Sequence, residues 1–137
     1  MQESIKVFAP ATVANVGCGF DIMGFALDGI GEEILITKTQ NGALTVKPVE
    51  GFLDIPTDPE QNVATVAVKA LLGKLEIDQG FEFEFFKHIK PGSGLGTSAS
   101  SSAGAVFGVN ELLGCPFKSE ELIEFAILMA SYIGQVN

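Results

Sequence analysis

Residues 81 to 113 carry three signals in immediate succession, and together they leave few architectures open. Phe81-Glu-Phe-Glu-Phe85 alternates apolar and acidic residues, so three phenylalanines share one face and Glu82 and Glu84 share the other. That is the period of a half-buried strand. Pro91-Gly-Ser-Gly-Leu-Gly96 follows, with glycine at every second position. Thr97 and Ser98 then stand where a helix should begin, as hydroxyl residues suited to its start. Ala103, Val106, Phe107, Val109, Leu112 and Leu113 give the helix an apolar side before Gly114 and Pro116 stop it. Alternate glycines let the backbone adopt positive φ and let N–H groups approach a ligand closely. Free amides at the positive end of a helix dipole form an anion site. A ligand able to engage so many amides and hydroxyls is a polyphosphate. The plain alternative, a linker or a tight strand–helix turn, fits poorly with a packed helix directly behind it.

Two familiar phosphate loops are excluded. A P-loop needs a lysine after its last glycine, and none lies between Pro91 and Cys115. The dinucleotide fingerprint fails because Thr97 occupies the place of its third glycine. Phosphates would therefore meet amides and hydroxyls, with Lys87 or Lys90 as the nearest fixed charges.

A length of 137 residues suits one domain, and 47% hydrophobic against 18% charged residues allows a core. The net charge of −9 argues against nucleic acid or an anionic membrane as partner. No apolar run is long enough to span a bilayer, and Met1-Gln-Glu-Ser-Ile-Lys6 does not read as a signal peptide. Cys18 and Cys115 are isolated and predict free or buried thiols in a reducing cytosol. His88 is the sole histidine, which excludes a multi-histidine metal site. There is no arginine, an unusual absence for an enzyme that handles a carboxylate or a phosphoryl group.

The remaining segments read as follows. Ile5–Ala9 predicts a short strand ended by Pro10. Ala11–Gly24 is rich in small residues and carries Asn15 and Asp21 among apolar neighbours, so both could reach one pocket wall; Asx-turns are the alternative. Strands are predicted at Ala26–Asp28, Glu33–Lys38 and Ala43–Lys47, with Asn41-Gly42 as a hairpin turn. Asn62 is placed to cap a helix reaching about Leu75. Ser100, Gly104 and Gly108 form a stripe of small residues against which another element, or the base of a ligand, could lie. Ser119 is expected to cap a last helix whose buried face is Leu122, Phe125, Ala126 and Met129. The order of elements implies an α+β fold rather than alternating βαβ units.

Two of these segments carry a family resemblance. Pro91-Gly-Ser-Gly-Leu-Gly-Thr-Ser-Ala-Ser100 resembles the P-x-x-x-G-L-G-S-S-A motif of the GHMP kinases. Ala9–Gly24 is similar to the first motif of that family's homoserine kinase branch. The resemblance implies a ribosomal protein S5 domain 2-like α+β domain, with a mixed or antiparallel sheet and helices on one face. It implies transfer of the ATP γ-phosphoryl to the side-chain hydroxyl of L-homoserine, a cytoplasmic step of threonine biosynthesis. Pro91, Gly92, Ser93, Gly94, Leu95, Gly96, Thr97, Ser98, Ala99, Ser100 and Ser101 would hold the ATP phosphates. Ser98 would also meet Mg²⁺. Asn15 and Asp21 would bind the substrate's amino and hydroxyl end, Asp21 as an orienter whose service as a base is left open.

The pattern breaks near residue 128. Homoserine kinases are considerably longer, and the glutamate for Mg²⁺ and the His-x-Asp-Asn segment expected beyond Ser119 are not seen. Residues 1–137 are accordingly expected to form an N-terminal ATP-binding domain without its C-terminal partner. Such a chain is expected to be inactive alone and, with apolar faces uncovered, prone to homodimerise. A mevalonate- or diphosphocytidyl-methylerythritol-type kinase, or a non-catalytic nucleotide-binding module, is the alternative.

Overall fold

The computed structural model describes the backbone of residues 2–13, 24–48, 55–87 and 97–136, and their side chains except those of 87, 97 and 128–136. In chain order the elements are β1 (Ser4–Val13), β2 (Phe25–Thr39), β3 (Leu44–Val46), α1 (Val63–Leu75), β4 (Gly80–Lys87), α2 (Thr97–Leu112) and α3 (Ser119–Val136). The four strands form one mixed sheet in the order β1-β2-β4-β3. β1 and β4 both run antiparallel to β2, whereas β3 and β4 are parallel. The α+β expectation holds, with one amendment: β3-α1-β4 is a crossover between parallel neighbours.

Alternation in the sequence builds the core directly. Val7, Ile34 and Phe85 stand side by side across three strands, and Ile36, Phe83 and Val46 form a second such row. All six are buried, with Ile34, Ile36 and Phe83 wholly so. Burying Phe81, Phe83 and Phe85 of β4 contributes about 1.5–3 kcal/mol each. Helices α1 and α2 cover this face, and α3 packs against both. The opposite face is solvated. There Lys6 meets Glu33 at 3.0 Å, and Lys47 meets Glu82 and Glu84 at 3.3 and 3.5 Å. Pairs this exposed contribute at most about 1 kcal/mol each, so they keep the face polar more than they hold it together.

Several boundaries differ from the sequence expectation. Pro10 does not end β1; it pairs with Gly31, and the register shifts between Pro10 and Thr12. β1 is an edge strand, where a missing N–H leaves no ladder bond unmade. The two strands expected within residues 26–38 are one continuous β2. No hairpin joins β2 to β3. Gly42 does turn the chain at φ +70°, but β4 inserts between the two strands. The register explains the choice: β4 matches β2 over eight residue pairs, while β3 offers only three. The longer ladder, carrying the phenylalanines, takes the central place.

The helix ends follow local chemistry. Asn62 caps α1 as expected: its Oδ1 accepts from the Ala64 N–H at 3.0 Å, and its Nδ2 donates to the Pro56 carbonyl at 2.9 Å. At α3, Ser119 is already helical, and the capping contact runs from the Lys118 N–H to the Glu121 carboxylate at 2.7 Å. Leu122 and Phe125 are buried as predicted, Ala126 is half-buried, and the Met129 side chain lies outside the described set. On α2 the buried side is narrower than its apolar side. Val106, Val109 and Leu112 face the core, but Ala103 and Phe107 are exposed. Cys115 is a free, exposed thiol; Cys18 and His88 lie outside the described residues.

Candidate phosphate-binding site

The start of α2 is positioned by the stripe of small residues on its inner side. A Cβ at Gly104 would come within 2.8 Å of Ile34 Cδ1 and 3.1 Å of Ala9 Cβ. One at Gly108 would press on Ile36 Cδ1 and reach within 2.9 Å of Val7 Cγ2. Only glycine allows the helix axis so near the sheet. The stripe is therefore a packing surface, and a ligand base is excluded from its buried side. Along α2 the contacts pass from Pro10 through Ala9 and Val7 to Ile5. The helix thus runs opposite to β1, and its N-terminus lies at the sheet end where β1 finishes. β4 runs in the same sense as β1 and finishes there too. Three elements thus have their ends toward this end of the sheet: β1 at Val13, β4 at Lys87 and α2 at Thr97.

Those ends flank the two segments singled out in the sequence. Asn15 and Asp21 fall between Val13 and Phe25; Pro91 to Gly96 fall between Lys87 and Thr97. All of these candidates lie outside the described residues. What is described is the first turn of α2. Ser98 and Ala99 are exposed, and the opening amides of a helix lack intrahelical partners. No acidic residue stands in this turn. In α1 and α3, Asn62 and Glu121 occupy terminal amides.

Ser100 and Ser101 turn their side chains away from the open end of the helix. Both belong to the stretch that the resemblance gives to the ATP phosphates, and both side chains are buried, at 6% and 3% exposure. Ser100 Oγ donates to the Pro10 carbonyl at 2.7 Å, and Ser101 Oγ donates to Glu32 Oε1 at 2.5 Å. Their side chains face the sheet because the helical period carries positions 100, 101, 104 and 108 inward while 98 and 99 stay outward. Glu32 was not anticipated. The signal was available, since Glu32, Ile34 and Ile36 alternate inward, which places an acid at a core position. Beside the turn, an apolar groove of about 540 Å³ between β1 and α2 is lined by Phe8, Pro10, Ala99, Ala103 and Phe107.

A family model described as the GHMP kinases N terminal domain matches residues 62–137, more than half of the chain and including the whole β4–loop–α2 unit. The chain belongs to the GHMP kinases, as an N-terminal domain. This GHMP kinase domain is 37% identical to the homoserine kinase of Methanococcus maripaludis over 93% of its own length and 42% of that protein. The crystal structure of homoserine kinase from Cytophaga hutchinsonii superimposes with a TM-score of 0.88 at 41% identity, covering 94% of the GHMP kinase domain and 41% of that chain. The mevalonate kinase of Methanococcus jannaschii superimposes with a TM-score of 0.72 at 20% identity, a likeness of fold alone. The GHMP kinase domain thus spans about two-fifths of the length of the homoserine kinases it matches. No described helix is long and apolar enough to cross a membrane.

Proposed function

We propose that the protein transfers the γ-phosphoryl group of ATP to the side-chain hydroxyl of L-homoserine, and that residues 1–137 form its nucleotide-gripping domain. The observation that carries this is the 41% identity and TM-score of 0.88 to a homoserine kinase across nearly the whole chain. The placing of Val13, Lys87 and Thr97 toward one end of the sheet supports it, because that end could then serve both nucleotide and substrate.

Amides of residues 91–96 and of Thr97, Ser98 and Ala99 would hold the phosphates. A helix end supplies roughly 0.3–1 kcal/mol toward an anion, and up to ~2 when partly buried. The loop amides must add the rest by being oriented before the reaction. In the transfer, the homoserine hydroxyl oxygen bonds to the γ-phosphorus as the bond to the ADP oxygen breaks. The hydroxyl proton leaves to a phosphate oxygen or to a base. Asn15 and Asp21 would orient the substrate's amino and hydroxyl groups. Ser98 fits a magnesium site, since it is an exposed oxygen donor on the first turn and Mg²⁺ takes few protein ligands beside phosphate oxygens. When bound, the ion would neutralise charge on the transferring group. Ser100 and Ser101 would serve by placing the turn, since their hydroxyls are already engaged.

Calorimetric titration of the chain with Mg-ATP tests the nucleotide half: binding is expected, with Ser98→Ala weaker, and no binding overturns it. Homoserine-dependent ADP release tests the rest. The 137-residue chain alone is expected to bind without turnover. A full-length protein that phosphorylates mevalonate in preference to homoserine would refute the substrate assignment. An Asp21→Asn enzyme with unchanged kcat and raised KM would exclude Asp21 as base.

A further inference from the structure

We propose that Glu32 is a positioning residue for the start of α2, acting through Ser101, with the Ser100–Pro10 bond as its companion. The proposal rests on the phosphate-binding role assigned to that helix end. Glu32 is 4% exposed on β2, with Ala9 of β1 and Lys87 of β4 as its register partners. It thus sits at the level where both neighbouring strands approach their ends. Its Oε1 accepts from Ser101 Oγ at 2.5 Å. Pro10 pairs with Gly31, one position along from the Glu32–Ala9 pair, and its carbonyl accepts from Ser100 Oγ at 2.7 Å. Consecutive hydroxyls of α2 are therefore fastened to consecutive levels of the β1–β2 pair.

The consequence is geometric. Packing at Gly104 and Gly108 sets how close α2 lies to the sheet, but aliphatic contacts permit sliding along the helix axis. Two directed hydrogen bonds in the first turns remove that freedom. They fix the helix end relative to β1, which continues to Val13 and the Asn15–Asp21 segment. A buried acid that holds a helix hydroxyl fits a positioning role and not an anion-binding one.

The test is calorimetry of the chain with inorganic tripolyphosphate and with Mg-ATP, at a temperature where circular dichroism shows each variant folded. Supporting partners one layer behind a ligand typically change affinity by about ten- to a hundredfold, and Glu32→Ala and Ser101→Ala are each expected to lose about tenfold. Glu32→Gln keeps an acceptor oxygen and sheds the charge, so it should bind within about threefold of the parent or tighter. A lowered melting temperature with unchanged tripolyphosphate affinity would make the pair merely structural and overturn the proposal. Equal losses in Glu32→Gln and Glu32→Ala would overturn it as well. If the single alanine variants do not fold, the combined Glu32→Met and Ser101→Ala variant decides, because it removes both partners of the bond at once. Parent-like binding by that variant refutes the positioning role, and a tenfold loss supports it. A parent chain that binds neither probe sinks the phosphate reading and this proposal together; a parent that binds alongside unaffected variants sinks this proposal alone.

Discussion

Replacing Gly108 with alanine should destabilise the chain, although alanine is the better helix former. The intrinsic gain from Gly to Ala inside a helix is about 1 kcal/mol. Against it stands the fit of α2 on the sheet. The new methyl would press on Ile36 Cδ1 and approach Val7 Cγ2 to 2.9 Å. Ile36 is wholly buried and Val7 nearly so, so neither side chain can swing toward solvent. Overpacking of a close-packed core costs about 1–3 kcal/mol, and with two contacts this short the upper part of that range applies. The net expectation is a loss of about 1–2 kcal/mol. Gly73, exposed in α1, provides the matched control, because a Cβ there meets nothing within 4 Å. Gly73→Ala should therefore stabilise by about 0.5–1 kcal/mol. In urea unfolding with a slope of about 2 kcal/mol/M, the midpoints should move by about 0.5–1 M down for Gly108→Ala and about 0.3–0.5 M up for Gly73→Ala. A Gly108→Ala chain as stable as the parent would refute the close seating of α2, and with it the account of how the helix end is placed.

Asn62→Ala should cost about 1–2 kcal/mol, because it removes the α1 cap and the bond to the Pro56 carbonyl together; a loss below 0.5 kcal/mol in urea unfolding contradicts that role. Glu76 ends α1 in the left-handed region at φ 55°, so Glu76→Gly should raise stability by about 0.5–1 kcal/mol, and a lower melting temperature would count against it. The Glu111 carboxylate accepts the Cys115 S–H at 3.4 Å. Chiefly through that bond, and then through burial and charge repulsion, it holds the thiol above its usual pKa. Less thiolate is then present at any pH below that raised value. Iodoacetamide at pH 8 should alkylate Glu111→Gln faster than the parent, and equal rates would refute the pairing.

Patterns of short range were legible in the chain itself. Phe81, Phe83 and Phe85 face inward because alternation is a property of the strand. Asn62 caps α1 because its side chain reaches an amide two residues away. The glycine run ahead of Thr97 and the resemblance to GHMP kinases could be read without coordinates, since close backbone approach needs missing side chains wherever it occurs. Competition between distant partners could not be read. Asn41-Gly42 turns the chain as its residues dictate, yet β4 rather than β3 lies against β2, because the longer apolar ladder outcompetes the local hairpin. Nor could the sequence decide which serines of 98–101 face outward, since that depends on the rotation at which Gly104 and Gly108 seat α2 on the sheet. Tertiary packing alone turned Ser100 and Ser101 inward to Pro10 and Glu32, and left Ser98 and Ala99 exposed.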